Sequence, residues 1–291
     1  MRLRRAILFT PGNDLHKIRK ASTFSVDSVC IDLQSVIGQN NKESARETVA
    51  YSLQTLDFIK SEILVRINPV DTNDAYKDLT IILSAHPNGI VVPCVEDVSA
   101  IQWVGRQIDA AENENKWPVG EIALLIMIET AKAMINLPKI CSADSRVRSL
   151  LFSAEDFAYD IRAKRTNDGA ELLYARSNIV LNAAANKIQA IDMVNLNFKD
   201  LKTLKKEANQ AMEMGFVGKQ IIHPSQIDTV QEAFTPNEND IIEAQKIIKA
   251  FQTYQEEGKG IFGFDGMMVN SSVLQTAELI IERARIAGVI D

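Results

Sequence analysis

The sequence predicts a (β/α)8 TIM barrel with a C-terminal helical extension. Short runs rich in aliphatic and β-branched residues alternate with longer stretches of helical apolar spacing, the pattern of a parallel sheet. Eight such runs occur, starting about every 30 residues, the length of one strand plus one crossover helix. Several are apolar almost throughout, such as Ile-Ala-Leu-Leu-Ile-Met-Ile at 122–128, as expected of strands covered on both faces. Eight units in 291 residues point to a closed barrel rather than an open sheet.

The first run, 5–11, stops at the break Gly12-Asn13. The second, 28–33, reaches Asp32, and the third, 62–68, ends Val65-Arg66-Ile67-Asn68. The fourth covers 89–95, and the fifth, 122–130, ends Ile128-Glu129-Thr130. The sixth, 149–156, ends Ala154-Glu155-Asp156; the seventh is 189–196, and the eighth, 218–224, runs into Ile222-His223-Pro224. These elements assign 1–235 to the barrel. Residues 236–291 form the extension: a helix over 237–257, a Gly-rich stretch from Gly258 to Gly266, and an amphipathic helix over 272–287. Two helices beyond the eighth strand exceed what closing a barrel requires, so the tail is expected to act as a lid or as an arm to a neighbouring subunit.

Composition narrows the function. With 46% apolar and 24% charged residues and a net charge of −6, the chain can bury a large core. No basic cluster with interleaved aromatics marks a nucleic-acid surface. The three cysteines, Cys30, Cys94 and Cys141, have no C-x-x-C partner, which suggests a reducing compartment and no structural zinc. The first residues are too short in apolar character for a signal or membrane segment, so a cytoplasmic protein is expected.

In a barrel, chemistry gathers where strands end at the C-terminal face. Glu129 and Asp156 close consecutive apolar runs, so their carboxylates are expected side by side at the mouth, where they repel unless a cation or proton separates them. No His or Cys stands at matching positions, and an all-oxygen set favours Mg²⁺ over Zn²⁺. The alternative is that either acid only caps a following helix. Arg66 is expected over the same mouth, holding a carboxylate or thioester oxygen, or else pairing with Asp32 or Glu129. For Arg5 two placements are open: an ion pair beneath the barrel, or a second anion binder. Arg4, Arg5, Lys17, Arg19 and Lys20 make the first thirty residues the most basic region, a landing site for a phosphorylated cofactor tail or a solvated face. His223 reads equally as a packed imidazole or a ligand contact.

Arg4-Arg5-Ala-Ile-Leu-Phe-Thr-Pro-Gly-Asn13, Val65-Arg66-Ile-Asn68, Ile-Glu129-Thr130, Phe-Ser-Ala-Glu-Asp156, Asp168-Gly-Ala-Glu-Leu-Leu-Tyr-Ala-Arg176, the stretch from Gly215 to Gln226 and the late Phe234-Thr-Pro are collinear motifs covering essentially the whole chain. Together they resemble the citrate lyase β-subunit branch of the HpcH/HpaI aldolase family. The resemblance implies cleavage or formation of a carbon–carbon bond in a 3-hydroxyacyl-CoA of the citryl, malyl or citramalyl type, giving a keto acid and an acyl-CoA. It places Glu129 and Asp156 on Mg²⁺ ligands, Arg66 on the substrate-binding arginine, and the first-strand loop with Lys20 in the region that meets CoA; Arg5, Asp32 and His223 are further candidate contacts to substrate or CoA. It also implies a homotrimer or homohexamer. Against the family pattern, Gln34 and Ser35 replace two acids, Cys94 replaces a lysine, and Asn270 stands where a tail Asp acts as acid/base. An Asn amide takes no proton at neutral pH, so a silent relative that binds a CoA ester or keto acid is the alternative expectation.

Overall fold

Eight parallel strands hydrogen-bond in chain order and the eighth returns to the first, closing the predicted barrel. The computed structural model describes residues 2–35, 37–256 and 261–290, without the side chains of Glu256, Phe262 and Met267. These residues fall into two compact units: Arg4–Gln231, and the described parts of Met1–Leu3 and Glu232–Asp291.

In the first unit the order is β1 (Ala6–Pro11), α1 (Leu15–Ser22), β2 (Ser28–Asp32), α2 (Lys42–Thr55), β3 (Glu62–Arg66), α3 (Asn73–Leu83), β4 (Gly89–Val92) and α4 (Val98–Asn115). Then come β5 (Ala123–Ile128), the short helices α5 (Ala131–Ile135) and α6 (Leu137–Cys141), β6 (Val147–Phe152), α7 (Ala154–Asp160), α8 (Leu173–Ala185), β7 (Gln189–Asp192), α9 (Leu201–Met214), β8 (Gly218–Ile221) and α10 (Ile227–Ala233). All eight expected strands are present, but most end several residues early. The largest correction is the sixth: strand pairing stops at Phe152, and Glu155 and Asp156 lie in the first turn of α7. An apolar run cannot distinguish the end of a buried strand from the buried face of the helix that follows it.

Ladder partners share a face of the sheet, so alternation sorts the barrel interior into layers. Ile7, Cys30, Leu64, Val91, Leu125, Met127, Leu151 and Ile191 fill the middle. The floor is polar and closed by Arg4, whose guanidinium donates to both Glu62 oxygens at 2.6 Å and to Gln189 Oε1 at 2.6 Å. Ser28 adds a bond to the same glutamate at 3.0 Å. Arg5 is beside this floor, its guanidinium paired with Asp27 at 2.7 Å, ahead of the first residue of β1. The anion-binding reading of Arg5 is thereby corrected, because the side chain leaves the strand at the N-terminal end, opposite the mouth. Gly218 permits this floor to close: a Cβ there would stand 1.9 Å from the Arg4 carbonyl oxygen.

Outside the barrel wall, Lys219 and Asp192 are fully buried and 3.0 Å apart, and Arg176 of α8 donates to both Asp192 oxygens at 3.1 Å. This network ties the ends of β7 and β8 to the helical layer.

In the second unit, α11 (Glu238–Glu256) and α12 (Ser271–Ile286) pack around Ala244, Ile247, Ala250, Phe251, Val269 and Ala277. Between them an antiparallel hairpin joins β9 (Phe262–Phe264) to β10 (Met267–Val269). Its two loop residues, Asp265 and Gly266, have φ of 51° and 79°, the left-handed pair that a two-residue hairpin turn requires and that Asp-Gly adopts readily. Phe264 packs on the helical core and Met268 is exposed. Of the expected Gly-rich stretch, 258–260 and the side chains of Phe262 and Met267 lie outside the described residues. Among the described residues no helix is long and apolar enough to cross a membrane.

Candidate active site

The mouth layer continues the inward alternation of the strands but changes its chemistry. Asp32 and Arg66, paired across β2 and β3, point into a cavity of about 370 Å³ that Phe9, Met127, Phe152, Ser153, Asp156 and Gln220 also line. Arg66 Nε donates to Asp32 Oδ1 at 2.7 Å and Nη2 to Oδ2 at 2.6 Å, a two-pronged ion pair that fixes the plane of the guanidinium. Nη2 also donates to Ser35 Oγ at 2.8 Å. The cation lies 5.1 Å over the Phe9 ring, and among the described residues Nη1 has only the Met127 sulfur at 3.7 Å. That leaves Nη1 as the donor available to an anion. Asp32 is held in turn by the backbone N–H groups of Gln34 and Ser35, at 2.9 and 3.3 Å. Gly12 lets the first loop come this close, since a Cβ there would meet the Asp32 carbonyl oxygen at 2.8 Å.

Glu129 follows the last residue of β5 and is buried. Burial raises its pKa, and the negative charge of Asp156 adds to this against the opposing pull of the Cys94 N–H and Arg66. The Cys94 N–H reaches Glu129 Oε2 at 2.5 Å because Cys94 adopts a left-handed φ of 53°, a conformation costly for a residue with a side chain. Its thiol is pushed up to about 12, by burial first and then by the Glu129 charge, so it stays protonated at neutral pH.

Asp156 is exposed in the first turn of α7 and accepts a bond from Ser153 Oγ at 2.5 Å. A helix start suits an acid, so the capping and ligand readings of Asp156 coexist. The donor set fits Mg²⁺. The charge of Asp156 adds to the cost of ionising Glu129, no thiolate or imidazole joins them, and among the described residues no cluster of three or more His, Cys, Asp or Glu forms a closed metal cage. Mg²⁺ suits such a site because it keeps several waters and takes only one or two protein carboxylates.

Lys20 and His223 line a second, mostly apolar cavity of about 360 Å³ that shares Phe9, Thr10, Pro11 and Ile222 with the first. The His223 ring stacks on Phe198 with centroids 4.5 Å apart, and its Nδ1 accepts from the Ser225 N–H at 3.2 Å. Asn270 belongs to the second unit, where Oδ1 caps α12 by accepting from the N–H groups of Ser272 and Val273 at 3.0 and 3.1 Å. The structure thus brings Asp32, Arg66 and Asp156 into one cavity with Glu129 within electrostatic reach, gathers Lys20 and His223 beside it, and leaves Arg5 at the other end of the barrel.

Two contributors escape sequence reasoning: the Cys94 backbone N–H, which leaves no trace in residue identity, and Gln220. The second had a signal. Gln220 shares the inward face of Ile7, an unusual place for an amide in an apolar strand.

Residues 5–224 match the family described as HpcH/HpaI aldolase/citrate lyase. Citramalyl-CoA lyase, mitochondrial, of Rattus norvegicus is 36% identical over 97% of this chain and 86% of its own length. Citrate lyase subunit beta of Leuconostoc mesenteroides subsp. cremoris is 35% identical over 100% of this chain and 96% of its own. Among solved structures, protein CitE from Mycobacterium tuberculosis, in complex with magnesium, acetoacetate and coenzyme A, superposes with a TM-score of 0.80 at 28% identity, covering 97% of this chain and 98% of that one. Closed barrel, polar mouth and end-to-end likeness agree, and the chain belongs to the HpcH/HpaI aldolase/citrate lyase family.

Proposed function

We propose that this protein is a Mg²⁺-dependent carbon–carbon lyase acting on a 3-hydroxyacyl-CoA thioester and releasing a keto acid and an acyl-CoA. The observation that carries the reading is the placement of a fixed cation, Arg66, near two acids, Glu129 and Asp156, at the same barrel mouth. Relatives named citramalyl-CoA lyase and citrate lyase subunit beta support it.

Glu129 and Asp156 would hold the Mg²⁺, which when bound supplies Lewis-acid polarisation of the keto-acid oxygens. Arg66 binds the substrate carboxylate through Nη1 while Asp32 keeps the guanidinium oriented. Phe9, Met127 and Phe152 exclude water from the reacting carbons. Cleavage removes the hydroxyl proton, breaks the bond between the carbinol carbon and the thioester α-carbon with its electron pair passing to the enolate, and returns a proton to that α-carbon. The cavity with Lys20 and His223 takes the CoA portion, Lys20 facing phosphate charge and the apolar walls the rest. By the resemblance Asn270 would stand at the family's acid/base position; its amide caps helix α12 and takes no proton, so transfer would fall to water or to the substrate itself.

The capping role of Asn270 favours a second reading, a relative that binds a CoA ester or keto acid without turnover. Both readings include assembly into a homotrimer or a multiple of it, checked by sedimentation at micromolar concentration. Calorimetry of keto-acid binding with and without Mg²⁺ tests the metal assignment. Glu129→Ala and Asp156→Ala are expected to abolish the Mg²⁺-dependent part, and its persistence in both variants sinks the assignment.

A further inference from the structure

Gln220 enters the barrel from β8 and is 3% exposed. Its amide nitrogen donates to the carbonyl oxygens of Phe152 at 2.9 Å and Asp192 at 3.2 Å, the last residues of β6 and β7. Both acceptors are backbone carbonyls, so the amide has one sensible orientation and its two hydrogens are committed. Among the described residues its Oε1 has no hydrogen-bond donor, and it is the part left for the cavity that Gln220 lines. Turning the amide over would orphan two carbonyls in a buried place.

The charges around this wall set what it can accept. Arg66 is the one cation among the described residues lining the cavity, and it is already paired with Asp32. Glu155 is paired with Arg165 at 2.9 Å, and Glu129 and Asp156 are acids. One substrate carboxylate can be met by Arg66 Nη1 and by a metal on the two acids. A second has no positive group left. At the Gln220 wall it would lose its water and meet an acceptor whose donors are in use, among Phe9, Met127, Phe152 and Ile222. A hydrogen or a methyl group there loses nothing.

We propose that Gln220 is a specificity-determining residue that restricts the site to 3-hydroxyacyl thioesters whose carbinol carbon carries a single carboxylate, with hydrogen or methyl beside it, and turns away those with a second carboxylate. This rests on the lyase reading above and narrows its substrate class to malyl-CoA and citramalyl-CoA rather than citryl-CoA.

The test is calorimetry on the full chain with Mg²⁺, using pyruvate and oxaloacetate as probes, alongside cleavage rates for the three thioesters. Pyruvate is expected to bind at least about tenfold tighter than oxaloacetate, with the same ranking in kcat/KM. Gln220→Lys supplies the missing cation and is expected to reverse the preference. Should that variant not fold, Gln220→His provides a cation near pH 5.5 and none at pH 8, and the ratio is read at both. Oxaloacetate binding as tightly as pyruvate in the wild type, or a ratio unmoved by the added cation, overturns the proposal and leaves the lyase reading standing. Binding of neither probe together with no cleavage overturns both.

Discussion

Replacing Arg66 by lysine keeps the charge and removes the fork. The guanidinium makes two bonds to Asp32, at 2.7 and 2.6 Å, and one to Ser35 at 2.8 Å, while Nη1 stays available for an anion. A lysine nitrogen is a single centre that can serve Asp32 or the ligand but not both in these positions. Hydrogen bonds to charged groups contribute about 1.5–3 kcal/mol each, so losing one prong to the buried Asp32 should lower stability by about that much. Losing the Nη1 donor should cost transition-state binding a similar amount, or about 10- to 150-fold in kcat/KM. Urea unfolding reads the first quantity and steady-state cleavage, or keto-acid affinity, the second. An Arg66→Lys protein with an unchanged unfolding midpoint and kcat/KM within twofold would refute the claim that the fork matters.

Three further outcomes are expected. Arg4→Met removes the guanidinium that meets both Glu62 oxygens in the barrel floor and should cost about 3 kcal/mol in urea unfolding, with ligand affinity unchanged because the mouth lies at the other end of the strands. Asp74 has its pKa lowered from 3.8 to about 2, by a bond from Gln39 first and then by Arg46 and Lys42. A depressed carboxylate stabilises the fold above its unfolded value and loses that contribution as pH falls through the folded one, so Asp74→Asn should cost about 2 kcal/mol at pH 7 and nothing below about pH 2. Asn270→Asp keeps the α12 cap, since Asp accepts the same N–H groups, and adds a titratable group; if only the proton-transfer residue is lacking, thioester cleavage should rise at least about tenfold. A flat response across a thioester panel, with the variant folded and binding Mg²⁺, counts against that account.

Much of the barrel was legible because burial on both faces writes strands as continuous apolar runs, and the roughly 30-residue period does not depend on where each strand ends. The ends themselves were not. Ala154 is buried on α7 much as Phe152 is buried on β6, so the run 149–156 looked like one strand and placed Asp156 on the wrong element. Arg66 and Asp32 were readable as strand-end charges, and even their pairing was an open alternative. Arg5 was ambiguous because a charge at the start of a strand carries no sign of which end of the barrel holds the chemistry. Cys94 shows the deeper limit: its contribution to Glu129 comes from a backbone N–H turned by a left-handed φ, which residue type does not encode.

The central claim is that the mouth of this barrel breaks a carbon–carbon bond, and turnover tests it most directly. Malyl-CoA, citramalyl-CoA and citryl-CoA are each incubated with the protein in Mg²⁺, in excess chelator, and with the Asp156→Ala variant, and keto acid is followed with time. The account predicts keto acid and acyl-CoA in equal amounts from at least one thioester, lost on chelation and lost in the variant. A thioester that binds in calorimetry yet is cleaved no faster than in buffer, on every member of the panel, would contradict it and leave a binding protein in the frame of a lyase.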